Sequence, residues 1–371
     1  MKNTILYSMI VLFYFGCSNT QPEYIVIKQT NNKPEKQQEN QKDIISIKSK
    51  KIVKNQIIPH IENNNTTVID ENKIVLLYSS SKIGKYALDV TNTVNTYLMY
   101  KNIDFSLDIY DLDKVSIDNI YQITQDDNIN KVIAVITKEN INILDIFKNS
   151  DTRIYLPLIN KENISKDIVI ENKNILFGGI SYGKQFNMLL NYSNNQISEL
   201  YGKSYIGYTL HNYLKNKNLK YSKVLKDKRP NYRLLLKNKN LDNTSLILNT
   251  PIVKSSIVLS QLRALKVRTK SILSTQINYT PLLFSLTQRK DRKNIIIANS
   301  IGYIPDDLIE YNNIIGNTLL YSWVNYTTIV GIEYLLERNL NQYNDLYIKS
   351  NQINYNIDLY VVNRYSFTKL D

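Results

Sequence analysis

The chain has 371 residues, a formal net charge of +13, ten glycines, 29 tyrosines and one cysteine. A single cysteine excludes an intramolecular disulfide and any CxxC zinc or redox pair. Asn, Ile, Lys and Tyr are abundant, as an AT-rich genome produces, and the positive balance admits anionic partners without naming one.

Residues 1–16 read MKNTILYSMIVLFYFG, with Lys2 ahead of an apolar run from Ile5 to Phe15. That run is too short to cross a ~30 Å hydrocarbon core as a helix, but it suits the apolar region of an export signal. Gly16 then precedes Cys17. A small residue before cysteine is the pattern of a bacterial lipoprotein signal, in which the thiol is lipidated and becomes the mature amino terminus. Membrane attachment through Cys17 is therefore expected. Tyr14 departs from the pattern, where Leu is commonest. An ordinary amino-terminal anchor and a soluble export signal are the competing readings. Ser18 after the cysteine, rather than Asp, favours the periplasmic face of the outer membrane in a Gram-negative cell. No nucleic acid is expected as a partner there.

Residues 17–72 hold the lipidation site and then stretches such as NNKPEKQQENQKD and IENNNTTVIDENK. They lack a sustained apolar period and read as a disordered tether. About 55 such residues reach roughly 40 Å.

From Lys73 the texture changes. KIVLLYSS (73–80), FSLDIYDL (105–112), KVIAVIT (131–137), RIYLPLI (153–159) and NILFGGI (174–180) read as strands, and residues 84–102 carry apolar residues at helical spacing. Short helices are expected at 115–124 and 140–149. Strands that are apolar throughout, alternating with helices, indicate parallel sheets covered on both faces. The pattern repeats through strands near 197–200, 221–226, 244–250, 270–275 and 294–300. Helices are expected at 183–193, 203–218, 253–266 and 317–339, with a hairpin over 355–370. The fold class is α/β, with two doubly wound lobes around a hinged cleft. Lobe 1 is assigned residues 73–182 and 299–335, and lobe 2 residues 183–298 and 336–371.

The densest basic run, KVLKDKRPNYRLLLKNKN at 223–240, is either a solvated face or a contact for an anionic polymer. GISYG (179–183) fits G-x-S-x-G between a strand and a helix, where Ser181 would be a nucleophile. The only histidines are His60, in the tether, and His211, inside a helix, so no serine triad forms in the required order. GGISYGKQ (178–185) resembles a P-loop, but Gln185 stands where Ser or Thr must ligate magnesium. Gly178, Gly179 and Gly183 read instead as a glycine-assisted crossover or hinge between lobes. No motif for a metal or a cofactor is present, and no enzymatic activity is expected. Asp306 and Asp307 after Pro305 read as a helix start, and Trp323 with Tyr321 and Tyr326 as core.

YGKSYIGYTLHNYLKNKNLKY, LSQLRALKVRTKSILST and LYSWVNYTTIVGIEYLL, in that order, resemble the type I periplasmic binding protein fold of the leucine-binding-protein superfamily. NILFGGISYGKQFNMLLNYSNNQ and the IDLYVVNRYSFTKLD ending resemble the lipoprotein penicillin-binding protein activators. The resemblance implies an interaction module in cell-wall biogenesis with a peptidoglycan synthase as partner. Alternatively, it implies a lipoprotein that captures a small polar ligand, such as an amino acid, for a transporter. ITKENIN (136–142) and INKENIS (159–165) depart from the short Gly/Ser turns of solute-binding members, and the strand before Tyr201 looks shortened. Ligand positions are expected beyond the carboxyl ends of strands. They are Ser79, Ser80 and Ser81 in lobe 1, and Asn249, Thr250, Ser274 and Thr275 in lobe 2.

Overall fold

The computed structural model describes residues 26–28, 72–126, 129–165, 174–226, 230–343 and 345–370. The signal segment, Cys17 and most of the tether lie outside the described residues. In chain order the first elements are β1 (Val26–Lys28), β2 (Lys73–Tyr78), α1 (Ser80–Tyr100), β3 (Ser106–Asp111), α2 (Ile117–Asp126) and β4 (Lys131–Val135). A 3-10 stretch (Lys138–Phe147), β5 (Arg153–Leu156) and β6 (Ile175–Phe177) follow. Next come α3 (Tyr182–Leu190), β7 (Ile197–Gly202), α4 (Tyr205–Leu214), β8 (Leu219–Leu225), α5 (Tyr232–Leu236), β9 (Ser245–Asn249) and α6 (Ile252–Ala264). Then β10 (Ser271–Ser274), α7 (Leu282–Leu286), β11 (Ile295–Asn299), α8 (Asp306–Ile314) and α9 (Trp323–Glu337). Two hairpins close the order: β12 (Tyr347–Lys349) with β13 (Gln352–Asn354), and β14 (Asp358–Val362) with β15 (Phe367–Lys369).

The strands form two mostly parallel sheets, ordered β1-β3-β2-β4-β5-β6-β13-β12 and β15-β14-β11-β10-β9-β7-β8. β4 and β9 are buried at every position. In the first sheet, Ile74 and Leu76 of β2 pack with α1 and α9, while Val75 and Leu77 pack with α2 and the 3-10 stretch. In the second, Leu246 and Leu248 of β9 pack with α5, α6 and α7. Ile247 joins the opposite cluster, which includes residues of α3 and α4. A strand with helices on both faces has no polar face to present, so its apolar run is unbroken.

The chain passes between the sheets at 178–181, 300–305 and 355–357. One boundary departs from the sequence reading. Residues 347–354 were assigned to lobe 2, but β12 and β13 belong to the first sheet, where Gln352 pairs with Phe177. Only β14 and β15 join the second sheet. The reversal at Ser350 and Asn351, both with positive φ, folds β12 back onto β13 at that sheet's edge.

Other differences are local. Within the expected tether, Val26–Lys28 forms an antiparallel strand on β3. β7 is six residues long and not shortened. The helix expected from 317 begins at Trp323, because the Ser322 hydroxyl caps it and the Asn325 amide bonds back to Asn317 Oδ1 and the Thr318 carbonyl. Among the described residues, eight non-glycine residues have positive φ, five of them asparagines: Asn102, Asn195, Asn243, Asn294 and Asn351.

Candidate functional site: the cleft between the lobes

The cleft lies beyond the carboxyl ends of the two sheets. On the first lobe, the chain leaves β2 into Ser79, which is extended and buried, and α1 begins at Ser80. The three expected serines do come together, but around a side chain of the protein itself. Ser79 Oγ donates to Asp113 at 3.0 and 3.1 Å, Ser80 Oγ donates to it at 3.2 Å, and the Ser81 N–H donates at 2.7 Å. The Ser80 N–H goes to Asp111 Oδ1 at 3.1 Å. The start of a helix attracts an anion through its free N–H groups and its dipole. Here Asp113 supplies that anion.

Both carboxyl groups sit below their ordinary range. For Asp113 the main cause is the Ser81 N–H, joined by the three serine hydroxyls. For Asp111, burial pushes upward, but hydrogen bonds from Ser80 and Asp113 and the nearby Lys114 outweigh it. Groups depressed in the folded state stabilise it above their unfolded value, near 4, and lose that contribution as pH falls through the folded value. The stability gap between wild type and Asp113→Asn is therefore expected to narrow in acid melts below about pH 4. A gap that is constant with pH would count against ionised Asp113 as the ligand of α1.

The two turns that departed from the solute-binding pattern carry the next feature. Each places a glutamate early in a 3-10 turn, Glu139 after β4 and Glu162 after β5. Both reach α4 of the second lobe. Tyr205 OH donates to Glu139 Oε1 at 3.4 Å. Tyr213 OH donates to Glu162 Oε1 at 3.0 Å and also to Asn163 Oδ1. Burial, reinforced by Glu162, pushes the Tyr213 hydroxyl well above the usual phenol range, so it stays a donor. Glu162 also accepts from Ser181 Oγ at 2.7 Å, at the start of α3. Carboxylates of lobe 1 thus bind phenols and a helix start of lobe 2.

A variant combining Tyr205→Phe with Glu162→Ala is expected to enlarge the radius of gyration in solution scattering. An unchanged value would mean that apolar packing alone holds the lobes.

Ser181 is the cap of α3, accepting from the Lys184 N–H at 3.0 Å while donating to Glu162. Both capacities are used, and the chain's second histidine lies elsewhere, against Glu199. The crossover glycines are tightly packed. A Cβ on Gly178 would fall 1.8 Å from the Tyr155 hydroxyl, and one on Gly179 would fall 2.5 Å from the Ile159 backbone. Gly183 lies inside α3, facing Tyr213. These glycines permit close approach, whatever movement the connection allows.

On the second lobe all four expected residues are buried, at 2% exposure or less. Asn249 Nδ2 donates to Glu199 at 3.0 Å. Thr250 Oγ1 and Ser255 Oγ are 2.7 Å apart. Ser274 Oγ donates to the Leu248 carbonyl and accepts from Asn278. Thr275 Oγ1, Asn249 Oδ1 and Asn278 Oδ1 are buried without a hydrogen-bond partner. The four residues therefore belong to the wall of the lobe rather than to an open surface.

Two networks escaped the sequence reading. Glu199, fully buried, lies 2.6 Å from His211 Nδ1 and accepts from Ser222 and Asn249. At the crossing points, Gln185, Gln276, Asn299 and Ser300 bind one another through amide and hydroxyl bonds of 2.6 to 3.0 Å. Each joins residues far apart in the chain, so no local spacing announces it. Among the described residues, no three His, Cys, Asp or Glu side chains gather as a metal site.

No protein-family model matches the chain, and no curated protein sequence matches it. Solved structures do. LpoA of Haemophilus influenzae superposes with a TM-score of 0.56 at 10% identity, over 83% of this chain and 60% of that one. This chain thus spans about 60% of the length of that protein. The LpoA C-domain, a regulator of PBP1A, superposes over 81% of this chain and 100% of its own length, with 11% identity and a TM-score of 0.53. LivJ of Streptococcus pneumoniae, a branched-chain amino acid transporter substrate-binding protein solved with isoleucine, gives 0.55 at 8% identity, over 81% and 99%. The fold is that of the type I periplasmic binding proteins. These neighbours include both a regulator and a ligand-binding protein, and at such identity they share architecture alone.

Proposed function

We propose that this chain is a non-enzymatic, lipid-anchored envelope protein whose two-lobed body works as an interaction module. Its role is of the penicillin-binding protein activator kind. Attachment is through Cys17 at the periplasmic face of the outer membrane, and the partner is a peptidoglycan synthase. The observation that carries this reading is the state of the cleft. Asp113 occupies the start of α1, and Glu139 and Glu162 bind the α4 tyrosines across it. A receptor for a small anion or amino acid needs those positions free. A module that presents a closed two-lobed surface to another protein does not.

The test has two arms on the full chain. Thermal melting with amino acids, short peptides and muropeptides is expected to show no shift, whereas a ligand at 100 times its Kd adds about 2.7 kcal/mol. Addition to a peptidoglycan synthase of the same cell is expected to raise glycan polymerisation or cross-linking. No effect on any synthase, together with a clear shift by one small molecule, would overturn the reading.

That outcome would favour solute capture for a transporter. The observation on its side is the buried, unpartnered oxygens of Asn249, Thr275 and Asn278 near the carboxyl ends of β9 and β10. A polar guest with hydrogen-bond donors would satisfy them.

A further inference from the structure

The net charge of the body is not spread evenly. Residues 230–293 hold twelve Lys and Arg against two Asp and Glu, a balance of +10 within a chain of +13. The topology gathers nine of these twelve basic residues at one end of the sheet. β8, β7, β9, β10 and β11 are parallel neighbours, so the segments leading into them lie at one end of the sheet, the pole away from the cleft. The turn at 363–366 joins them, because β14 runs antiparallel to β11.

The segments are stitched together by main-chain bonds. Ser245 N–H donates to the Gln196 carbonyl at 2.8 Å, Asn243 N–H to Arg268 at 2.7 Å, and Ile272 N–H to Asn294 at 2.9 Å. The Arg292 guanidinium bonds to the Arg364 carbonyl at 2.6 Å. Across residues 215–218, 237–244, 265–270, 287–294 and 363–366, eleven Lys and Arg side chains are exposed against one exposed acid, Asp242. Lys217, Lys239, Lys266, Arg268, Lys270 and Lys290 mark the span. Six strands at about 4.8 Å spacing make this pole roughly 24 Å wide.

We propose that this pole is an electrostatic docking face for an anionic lipid surface. Two features favour a bilayer over an acidic protein. The charge extends over the whole width of a sheet end, as a planar layer of headgroups requires, and is not focused on one cleft. Tyr365 stands 74% exposed at the tip of the 363–366 turn, with the Arg364 guanidinium 4.8 Å over its ring. Such an amphipathic aromatic suits the headgroup level of a membrane. Docking by this pole leaves the cleft and the first lobe facing away from the lipid.

The experiment is co-sedimentation of the full chain with vesicles of phosphatidylcholine, with and without phosphatidylglycerol, in low and high salt. The amino-terminal segment is common to all variants, so differences report the pole. The triple variant Lys266→Glu, Arg268→Glu, Lys270→Glu is expected to bind anionic vesicles about tenfold less at low salt. A lobe 1 control, Lys82→Glu, Lys85→Glu, Lys349→Glu, is expected to lose less than about twofold. High salt should remove the same increment from the wild type, which keeps the test valid if the triple variant does not fold. Equal losses in the two variants overturn the proposal, as does wild-type binding indifferent to lipid charge or to salt. Capture by polyglutamate without vesicle binding also overturns it and transfers the face to an acidic polypeptide. Any of these failures leaves the proposed role of the closed cleft untouched.

Discussion

Glu199→Ala is expected to cost about 3–5 kcal/mol of stability. The carboxylate is fully buried on β7 and gathers three partners from three elements. They are His211 of α4, Ser222 of β8 and Asn249 of β9. Removing it strands the Asn249 amide in a site where that residue's own carbonyl oxygen already has no partner. It also leaves the His211 ring, stacked at 4.2 Å on Tyr201, without its acid. A buried group deprived of its partner bears the full desolvation penalty. For a lobe of this size each kcal/mol moves the melting temperature by about 2–4 °C, so the fall should exceed roughly 6 °C. Glu199→Gln keeps the shape and one acceptor and should lose less. Equal melting of Glu199→Ala and wild type would mean that the strands around Glu199 tolerate its loss, and the network would be incidental.

Gly179→Ala is expected to cost about 1–3 kcal/mol, because the added methyl meets backbone and not a movable side chain. Its Cβ would lie 2.5 Å from the Ile159 carbonyl carbon and 2.6 Å from the Asn160 nitrogen. Yielding would also displace the Gly179 carbonyl, which accepts from Asn160 Nδ2 at 2.8 Å and Gln352 Nε2 at 3.1 Å. Gly84→Ala is the control. Nothing lies within 4 Å of that Cβ, and the residue is in α1, so the change should be neutral or gain up to about 1 kcal/mol. Denaturant melts of the two variants decide the matter. A neutral Gly179→Ala would favour a yielding connection at this crossover, the hinge expected from the sequence.

The architecture was legible because both sheets bury their strands on two faces. VIAV of β4 and LIL of β9 read as short apolar runs between helical segments. The helix start at Asp306 and the carboxyl-terminal hairpin followed from Pro305 and from alternation. The edges were harder. Residues 347–354 have the same local pattern whichever sheet they join, and only the register with Phe177 decides. Asn317 to Ser322 look helical by composition, yet the Asn317 side chain, the Thr318 carbonyl and the Ser322 hydroxyl bind Asn325 at the helix start.

In the site, the serines after β2 were found as a group, but their ligand was not. Asp113 lies 34 residues from Ser79. The two charged turns were recognised as departures from solute binding. That Glu162 reaches Tyr213, 51 residues on, belongs to tertiary packing alone.

The asparagines at positive φ bear on how such a chain compares with others. Glycine is spelled with G-rich codons and asparagine with A-rich ones, and asparagine enters the left-handed region more readily than other side chains. Asn102, Asn195, Asn243, Asn294 and Asn351 therefore hold left-handed turns that would otherwise call for glycine. A sequence signature keyed on glycine passes over such turns, although the backbone conformation is the same. With ten glycines in 371 residues, the chain turns left-handed at these five places on asparagine instead.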